Sequence, residues 1–288
     1  MKTRSVESVV APPPAHMVGD GFKVHNFFPG RLGMERMSPF FLMDYGPKTR
    51  IPASETPRGV GAHPHRGFET VTIAFHGRVA HHDSAGNSGI IGEGDVQWMT
   101  AGSGILHKEY HEKEFARSGG FMQMVQLWVN LPARDKMTAP RYQEIKHADM
   151  GVYDLPEGKG RVEVVAGEYR GAKGPAKTRT PVQLYKALLA AGATLDLDLP
   201  ADHNTCLLVI EGAVAANGRA VPADHFALFA NDGEAIQVRA TAESRVLILS
   251  GDPINEPIAA YGPFVMNTQE EIYRAVEDFQ AGKFGRLD

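Results

Sequence analysis

Turn-forming residues recur along the whole chain and leave room only for short secondary-structure elements. The 288 residues include 31 glycines and 19 prolines. Between them lie short apolar runs such as TVTIAFHG, FMQMVQLWVNL, CLLVIEG and SRVLILSG. Many short strands separated by frequent turns are typical of β-sandwiches and β-barrels. The pattern therefore predicts an all-β protein.

Only one segment has a strong helical pattern, the C-terminal stretch TQEEIYRAVEDFQAG. Thr268 and Glu271 have the spacing of a capping box, and Gly282 follows where a helix can end. The apolar residues of one face are Ile272, Val276 and Phe279. We expect a short C-terminal helix whose apolar face packs against the sheets, with the N-terminal domain as a candidate surface for it.

A weak internal repeat divides the chain. The segment Phe75–Ala80 reads FHGRVA, and Ile210–Ala215 reads IEGAVA. Such self-similarity predicts two related β units. The stretch from about Arg134 to Pro181 is richer in charge, glycine and proline than its flanks, which favours a linker there. We therefore expect an N-terminal domain of residues 1–140 and a C-terminal domain of residues 141–288.

Charge and composition narrow the range of partners. The formal net charge is −4, and the 30 lysines and arginines are scattered along the chain. We therefore expect no direct, charge-driven binding to nucleic acid or to an anionic membrane. The single cysteine, Cys206, lies in an apolar run and is expected to be a buried thiol. No stretch has the apolar core of a signal peptide or a membrane span, so we expect a cytoplasmic protein.

Two pairs of polar residues have the spacing that puts side chains on one face of a strand. His63 and His65 flank Pro64, and His107 and Glu109 follow a glycine-rich turn. Residues i and i+2 of a strand point the same way, and proline confines the first pair to a strand start or edge. On neighbouring strands, the pairs would bring three imidazoles and one carboxylate together. This donor set suits Fe(II), and also Ni, Cu or Zn.

The spacing leaves alternatives open. A histidine is more often a surface or hydrogen-bonded residue than a ligand, and a bare HxH pattern also occurs by chance. By strand alternation, Glu69 could supply the carboxylate in place of Glu109. The cluster His81, His82 and Asp83 follows a strand pattern and is expected in a solvated loop, with a supporting role at the site as the alternative.

Longer motifs carry a family resemblance over nearly the whole chain. The stretches HPHRGFETVT, GDVQWMTAGSGILHKE, QLWVNL, YQEI and GPFVMNTQEEI closely resemble those of the pirin family in the cupin superfamily. The resemblance implies an all-β bicupin: two β-barrel (double-stranded β-helix) domains with a short C-terminal helix. It also implies one divalent metal in the N-terminal barrel, most often Fe(II), with Ni, Cu, Zn or Mn as alternatives.

Carried over to this sequence, the metal ligands of the family are His63, His65, His107 and Glu109. Glu69, a ligand in the wider cupin pattern, is then expected to line the pocket or to serve as a structural partner. In the second half, the repeat aligns the two ligand pairs with residues that are not histidines. Those residues are Asp198, Pro200, Ile236 and Val238. The C-terminal domain is therefore expected to lack a metal site.

Resemblance to quercetinase-type pirins implies a metal-dependent dioxygenase of the quercetin 2,3-dioxygenase type. It would open a flavonol-like aromatic substrate with dioxygen, with Glu109 as both ligand and catalytic base. The alternative is a non-catalytic, iron-binding redox sensor that acts through protein partners; a purely structural metal ranks last. We expect a monomer. Six apolar residues are expected mainly in the core, with lining of the site as the alternative: Phe68, Trp98, Met99, Met122, Met124 and Trp128.

Overall fold

A computed structural model describes residues 1–30 and 32–287. Short strands joined by turns dominate it, and no helix in these residues is long and apolar enough to cross a membrane. In chain order, the elements are β1 Val6–Val10, β2 His16–Val18, β3 Phe22–Phe28, β4 Phe40–Ile51, β5 Gly59–His65, β6 Phe68–His76, β7 Val79–Asp83, β8 Ser88–Ile91, β9 Val96–Thr100, β10 Ile105–His111, α1 Lys113–Ser118, β11 Gly120–Asn130, β12 Arg141–Ile145, β13 Gly151–Asp154, β14 Gly160–Ala166, β15 Glu168–Tyr169, β16 Ala172–Lys173, β17 Val182–Leu189, β18 Thr194–Asp198, β19 Asn204–Glu211, β20 Ala213–Ala216, β21 Arg219–Pro222, β22 Phe226–Phe229, β23 Ala235–Ala240, β24 Ser244–Gly251, β25 Ala259–Tyr261, β26 Phe264–Met266 and α2 Gln269–Gln280. Single 3₁₀ turns lie at Ala133–Asp135, His147–Asp149 and Pro156–Gly158.

The chain forms two compact units that interleave along the sequence. The N-unit comprises Pro14–Glu35, Phe40–His147 and the C-terminal segment from Ile254 onwards, and the C-unit comprises Met1–Pro13, Arg36–Pro39 and Ala148–Pro253. The N-terminal strand β1 thus belongs to the C-unit, and the C-terminal helix α2 belongs to the N-unit. The domain boundary expected after residue 140 stays a prediction.

Each unit contains two large antiparallel sheets and one two-stranded sheet, β25-β26 in the N-unit and β15-β16 in the C-unit. In the N-unit, a seven-stranded sheet has the order β12-β9-β6-β11-β4-β3-β2, and a four-stranded sheet has the order β5-β10-β7-β8. The C-unit has a seven-stranded sheet, β1-β22-β19-β24-β17-β14-β13, and a four-stranded sheet, β18-β23-β20-β21. The four-stranded sheets follow the same chain order, so β5 corresponds to β18 and β10 to β23. The predicted all-β fold with two similar barrels is confirmed.

The internal repeat corresponds to one connection in each unit. Gly77 joins β6 to β7 with φ +84°, and Gly212 joins β19 to β20 with φ +82°. Residues with a side chain rarely adopt such positive φ values, so glycine is required at both turns. The repeat in the sequence therefore marks the same hairpin of the two barrels.

The two interiors differ in polarity. The C-unit encloses a continuous apolar cluster that includes Leu207, Val209 and Ile248, and Cys206 is buried as predicted. In the N-unit, by contrast, the buried residues include many polar side chains. Those of strands β6, β7, β9 and β10 are Glu69, Thr70, Thr72, His81, Asp83, Gln97, Thr100, His107, Glu109 and His111. Buried polar groups are costly unless they are hydrogen-bonded, so this interior marks a candidate site.

The C-terminal segment completes the N-unit. Thr268 caps α2, and the reciprocal capping box with Glu271 is present as predicted. Ile272 is buried, whereas Phe279 stays 39% exposed. Asp278, in the last turn of the helix, forms an ion pair of 2.9 Å with Arg66. The segment is thus fastened next to the strand that carries His63 and His65.

Candidate metal centre

Strands β5 and β10 bring three of the four predicted ligands together. His107 lies directly opposite His63 in the strand pair, while Ile105 lies opposite His65. The ring centroid of His107 is 4.3 Å from that of His63 and 4.8 Å from that of His65. One nitrogen of each of the three imidazoles lies within 4.8 Å of the others. These three histidines form a group that could hold a metal ion; we call it the histidine trio.

The local sequence explains why the first two histidines converge. Pro64 cannot donate a backbone hydrogen bond, and β5 lies at the edge of its sheet, where such a residue is tolerated. Gly67 then turns the chain into β6 with φ +88°. A Cβ atom at this position would overlap the carbonyl oxygen of Val265. The chain therefore needs glycine immediately after the HPHR motif.

Hydrogen bonds orient the imidazoles. The Nδ1 atom of His63 lies 2.8 Å from the carbonyl oxygen of Gly61, and Nδ1 of His65 lies 3.4 Å from that of Pro263. A carbonyl only accepts, so each Nδ1 carries the proton and each Nε2 keeps a free lone pair. The Nε2 atom of His107 is buried and has no hydrogen-bond partner among the residues that the structure describes. A buried polar atom without a partner is rare, and a metal ion would satisfy it.

Two members of the histidine trio are held in the neutral form. Burial, reinforced by the neighbouring histidines, lowers the pKa of His65 and of His107 well below the ordinary value. His63 is half-buried and forms the more accessible side of the group. Because neutral imidazole is the form that binds metals, both buried rings are ready to act as ligands near neutral pH.

Glu109, the fourth predicted ligand, lies outside the histidine trio. Its Oε1 atom accepts hydrogen bonds from the hydroxyl of Thr72, at 3.0 Å, and from the amide of Gln97. Its Oε2 atom accepts from the amide of Gln126 at 2.7 Å. Three neutral donors therefore hold the carboxylate in place, and the assignment of Glu109 as a ligand stays a prediction.

His81 and Asp83 are buried, and the expectation of a solvated loop for them is wrong. Both belong to β7, which pairs with β10 so that Asp83 lies opposite His107 and His81 opposite Glu109. Side chains two apart on this strand face the same interior. His81, His107 and Glu109 form a second group of potential ligands within 4.8 Å. The strand-like run after the Gly77 turn was the signal that could have revealed this.

Glu69, the alternative carboxylate, has a different position. It is buried in β6, where its Oε1 atom accepts a hydrogen bond of 2.6 Å from Thr100. Among the described residues, it belongs to neither group of potential metal ligands. Its contact with the neighbouring strand is that of a structural partner.

Aromatic rings line one side of the histidine trio. The ring of His65 lies 5.0 Å from that of Phe68 and 5.1 Å from that of Trp128, measured between centroids. Trp128 is only half-buried. Phe68 is fully buried, as expected of a core residue, and so are, fully or almost fully, the other four candidates: Trp98, Met99, Met122 and Met124. Phe68 and Trp128 thus form an apolar wall beside the histidines.

The residues present fit a divalent transition metal. Three imidazoles converge, two of them are buried and neutral, and one offers a nitrogen without any other partner. Imidazole donors suit Fe, Ni, Cu and Zn, so the ligands do not single out one metal. The second group, which adds His81 and Glu109 to His107, is less suited to metal binding, because His81 and Glu109 already have hydrogen-bond partners within the protein.

Comparison with known proteins agrees with this geometry. The pirin family model matches residues 21–129, and the pirin C-terminal cupin domain matches residues 184–285. The chain is 48% identical over 271 residues to the Pseudomonas aeruginosa protein named "Putative quercetin 2,3-dioxygenase PA2418", covering 94% of this chain and 95% of that one.

Solved structures show the same fold. The structure of quercetin 2,3-dioxygenase from Acinetobacter baumannii superimposes with a TM-score of 0.95 at 45% identity, covering 100% of both chains. The bacterial pirin YhhW from Escherichia coli, solved in complex with nickel(II), has a TM-score of 0.65 at 21% identity and covers 86% of this chain and 100% of its own. The two cupin barrels and the matches in both halves show that this chain belongs to the pirin family.

Proposed function

We propose that this chain is a metal-dependent dioxygenase of the quercetin 2,3-dioxygenase type, which opens flavonol-like substrates with dioxygen. The observation that carries the proposal is the histidine trio, which has an unpartnered buried nitrogen on His107 and an accessible side at His63. The names of the relatives from Pseudomonas aeruginosa and Acinetobacter baumannii support the same activity.

The histidine trio would hold the metal, with Glu109 as the fourth ligand that the family resemblance implies. We propose Fe(II), while Ni, Cu, Zn and Mn are compatible with the same donors, and the related YhhW was solved with nickel(II). A bound divalent metal supplies Lewis-acid polarisation of a substrate oxygen.

Glu109 is the group proposed to take the proton from the flavonol hydroxyl. Its Oε1 atom already accepts two hydrogen bonds, whereas Oε2 accepts one, from Gln126. The greater remaining capacity of Oε2 makes it the site for the proton. Thr72 and Gln97 keep the carboxylate fixed, so little reorganisation is needed when the proton moves.

Trp128, backed by the buried ring of Phe68, would position the substrate. Their ring centroids lie 4.4 Å apart, and both rings contact His65. A flat aromatic substrate gains apolar contact against such a wall, and the same wall keeps water away from the reacting oxygen. The wall therefore favours planar aromatic compounds over sugars or charged metabolites.

Oxygen uptake by the metal-loaded protein tests this function. The protein is mixed anaerobically with quercetin and then exposed to air, and carbon monoxide is measured with oxygen consumption. One carbon monoxide should appear for each dioxygen consumed. We expect His63→Ala to lose both metal and turnover. The control His82→Ala, at a half-buried histidine outside both ligand groups, should keep both.

Two outcomes of this experiment would contradict the proposals. If the protein binds stoichiometric iron yet consumes no oxygen with any flavonol, the dioxygenase proposal is refuted. The non-catalytic, metal-sensing role would then be the better account of the same site. If His63→Ala keeps its metal, the histidine trio is not the metal centre.

A further inference from the structure

Three buried residues form a hydrogen-bonded chain that ends at the unpartnered nitrogen of the histidine trio. The Oδ2 atom of Asp83 lies 3.2 Å from Nε2 of His81, and Nδ1 of His81 lies 3.4 Å from Nδ1 of His107. The exposed fractions of Asp83, His81 and His107 are 4%, 0% and 1%. On its far side, His107 presents the Nε2 atom that has no partner. Each of the other three ring nitrogens has a neighbour that restricts which nitrogen carries a proton.

Asp83 is built to remain an ionised acceptor. Its Oδ1 atom accepts from the backbone N–H groups of Ala85 and Asn87, at 2.9 and 3.0 Å. The side-chain amide of Asn87 donates to Oδ2 at 3.0 Å. Although burial disfavours its charge, the hydrogen bonds from His81 and Asn87 lower the pKa of Asp83. A carboxylate in this turn can only accept from the histidine beside it.

The carboxylate of Asp83 determines which nitrogen carries the proton in the rings of His81 and His107. Because Asp83 accepts, Nε2 of His81 must carry a proton and donate it to the carboxylate. With one proton on the ring, His81 then has only a lone pair on Nδ1, so Nδ1–H of His107 donates to it. Neutral His107 is left with its lone pair on Nε2. We infer that Asp83, acting through His81, fixes the tautomer of His107 and so directs the Nε2 lone pair into the metal site.

The ring of Tyr142 helps to hold this arrangement. It stacks on His81 with centroids 4.6 Å apart and an interplanar angle of 15°. Such stacking opposes rotation of the imidazole, so the identity of the atom facing Asp83 is preserved. Asp83 and His81 are therefore positioning residues that would touch neither metal nor substrate. The inference rests on the proposed metal centre but not on the dioxygenase activity.

Replacing one carboxylate oxygen of Asp83 by nitrogen should exchange donor and acceptor in both hydrogen bonds, the one between Asp83 and His81 and the one between His81 and His107. In Asp83→Asn, the backbone N–H groups of the turn keep the amide oxygen at the Oδ1 position, which turns the NH₂ group toward His81. Nε2 of His81 must then accept, its Nδ1 becomes the donor, and Nδ1 of His107 becomes the acceptor. The proton of His107 moves to Nε2, where it blocks metal binding. The substitution changes the size of the side chain very little.

Nitrogen-15 NMR of the metal-free protein at fixed neutral pH reads the tautomers directly. In the wild type, we expect Nε2–H on His81 and Nδ1–H on His107, with resonances assigned through His81→Gln and His107→Gln. Asp83→Asn should show the opposite tautomer at both rings. Asn87→Ala is the matched control: it disturbs the same turn but leaves the carboxylate, so it should keep the wild-type tautomers.

Metal affinity gives the second readout. Competition titration with Zn²⁺ or Ni²⁺ should show a loss of about 10- to 100-fold for Asp83→Asn and little change for Asn87→Ala. A wild-type spectrum with Nε2–H on His107 overturns the inference, even if Asp83→Asn does not fold. So does a folded Asp83→Asn protein with unchanged tautomers. The expected tautomers without metal binding would refute the metal centre instead, and binding without oxygen uptake would refute only the dioxygenase.

Discussion

Lys136 is a buried cation that ties three parts of the N-unit together. Its side chain is 1% exposed. Its ammonium group donates to the carbonyl oxygens of Gly67 and Val265, at 3.0 and 2.9 Å, and to the side-chain oxygen of Asn130 at 2.7 Å. Since Gly67 closes the HPHRG segment, this lysine also supports the strand that carries His65. Lys136→Met keeps a similar volume but removes every donor.

Two opposing contributions determine how much Lys136→Met changes the free energy of unfolding. Each hydrogen bond from a charged donor contributes about 1.5–3 kcal/mol, so the three bonds of the ammonium group together contribute roughly 6 kcal/mol. In return, the substitution removes a buried charge. Burial lowers the pKa of Lys136 from 10.5 to about 8. At 1.36 kcal/mol per pKa unit, that charge costs about 3 kcal/mol. We therefore expect Lys136→Met to lower the free energy of unfolding by about 3 kcal/mol at pH 7.

The lowered pKa also fixes the direction of the pH dependence. Between pH 8 and 10.5, the unfolded chain keeps the lysine proton while the folded protein has released it. Because the unfolded state then binds more protons, this group raises the free energy of unfolding as the pH rises. The stability difference between wild type and Lys136→Met should widen from about 3 to about 6 kcal/mol across this window.

Urea unfolding from pH 7 to 10.5 measures this difference. Other lysines and tyrosines titrate in both proteins, so their contributions cancel in the comparison. A pH-independent difference would show that Lys136 does not titrate in this window. A variant as stable as the wild type at pH 7 would refute the role of the three hydrogen bonds.

Further predictions concern the metal site and its support. Without metal, the free energy of unfolding should fall as the pH drops below 6.5. The reason is that the folded state resists protonation of His65 and His107, whose pKa values are lowered. Urea unfolding in EDTA measures this fall, which should be shallower in His107→Gln. Gly67→Ala should cost more stability and metal affinity than Gly86→Ala, which has a similar φ of +86° but open space around its Cβ position; calorimetry and metal titration compare the two. Thr268→Ala should cost about 1 kcal/mol, measured by thermal unfolding, because it removes the helix cap.

Local chemistry made part of the fold predictable. The glycine turns and the Thr268 cap depend on residues adjacent in sequence, and both appear as expected. The pairing of Val6–Val10 with Phe226–Phe229 could not be foreseen. An alternating pattern defines a strand and its buried face but not its partner, which tertiary packing selects. For the same reason, the sequence did not show how the two units interleave.

The site was predictable to a similar extent. Alternation placed His63 and His65 on one face, but only the strand register puts His107 directly opposite His63. The pairing shifts between His107 and Glu109, so their neighbours on β5 are not two residues apart. Such an irregularity changes local direction and has no simple sequence signal. His81 was missed because its burial depends on β7 pairing with β10.

Corresponding strands of the two barrels explain why the candidate site lies in only one of the two interiors described here. In β10, His107 and Glu109 point into the N-unit, while in β23 the buried positions are Ile236 and Val238. The residue opposite His107 across the strand pair is a histidine, and the one opposite Ile236 is Leu197. Aliphatic side chains have no atoms that can bind a metal, and they stabilise the C-unit because their burial removes apolar surface from water. The N-unit gives up part of that stabilisation and must satisfy each buried polar atom instead. The amides, hydroxyls and carboxylate around its histidines are therefore a physical requirement of a site inside a barrel.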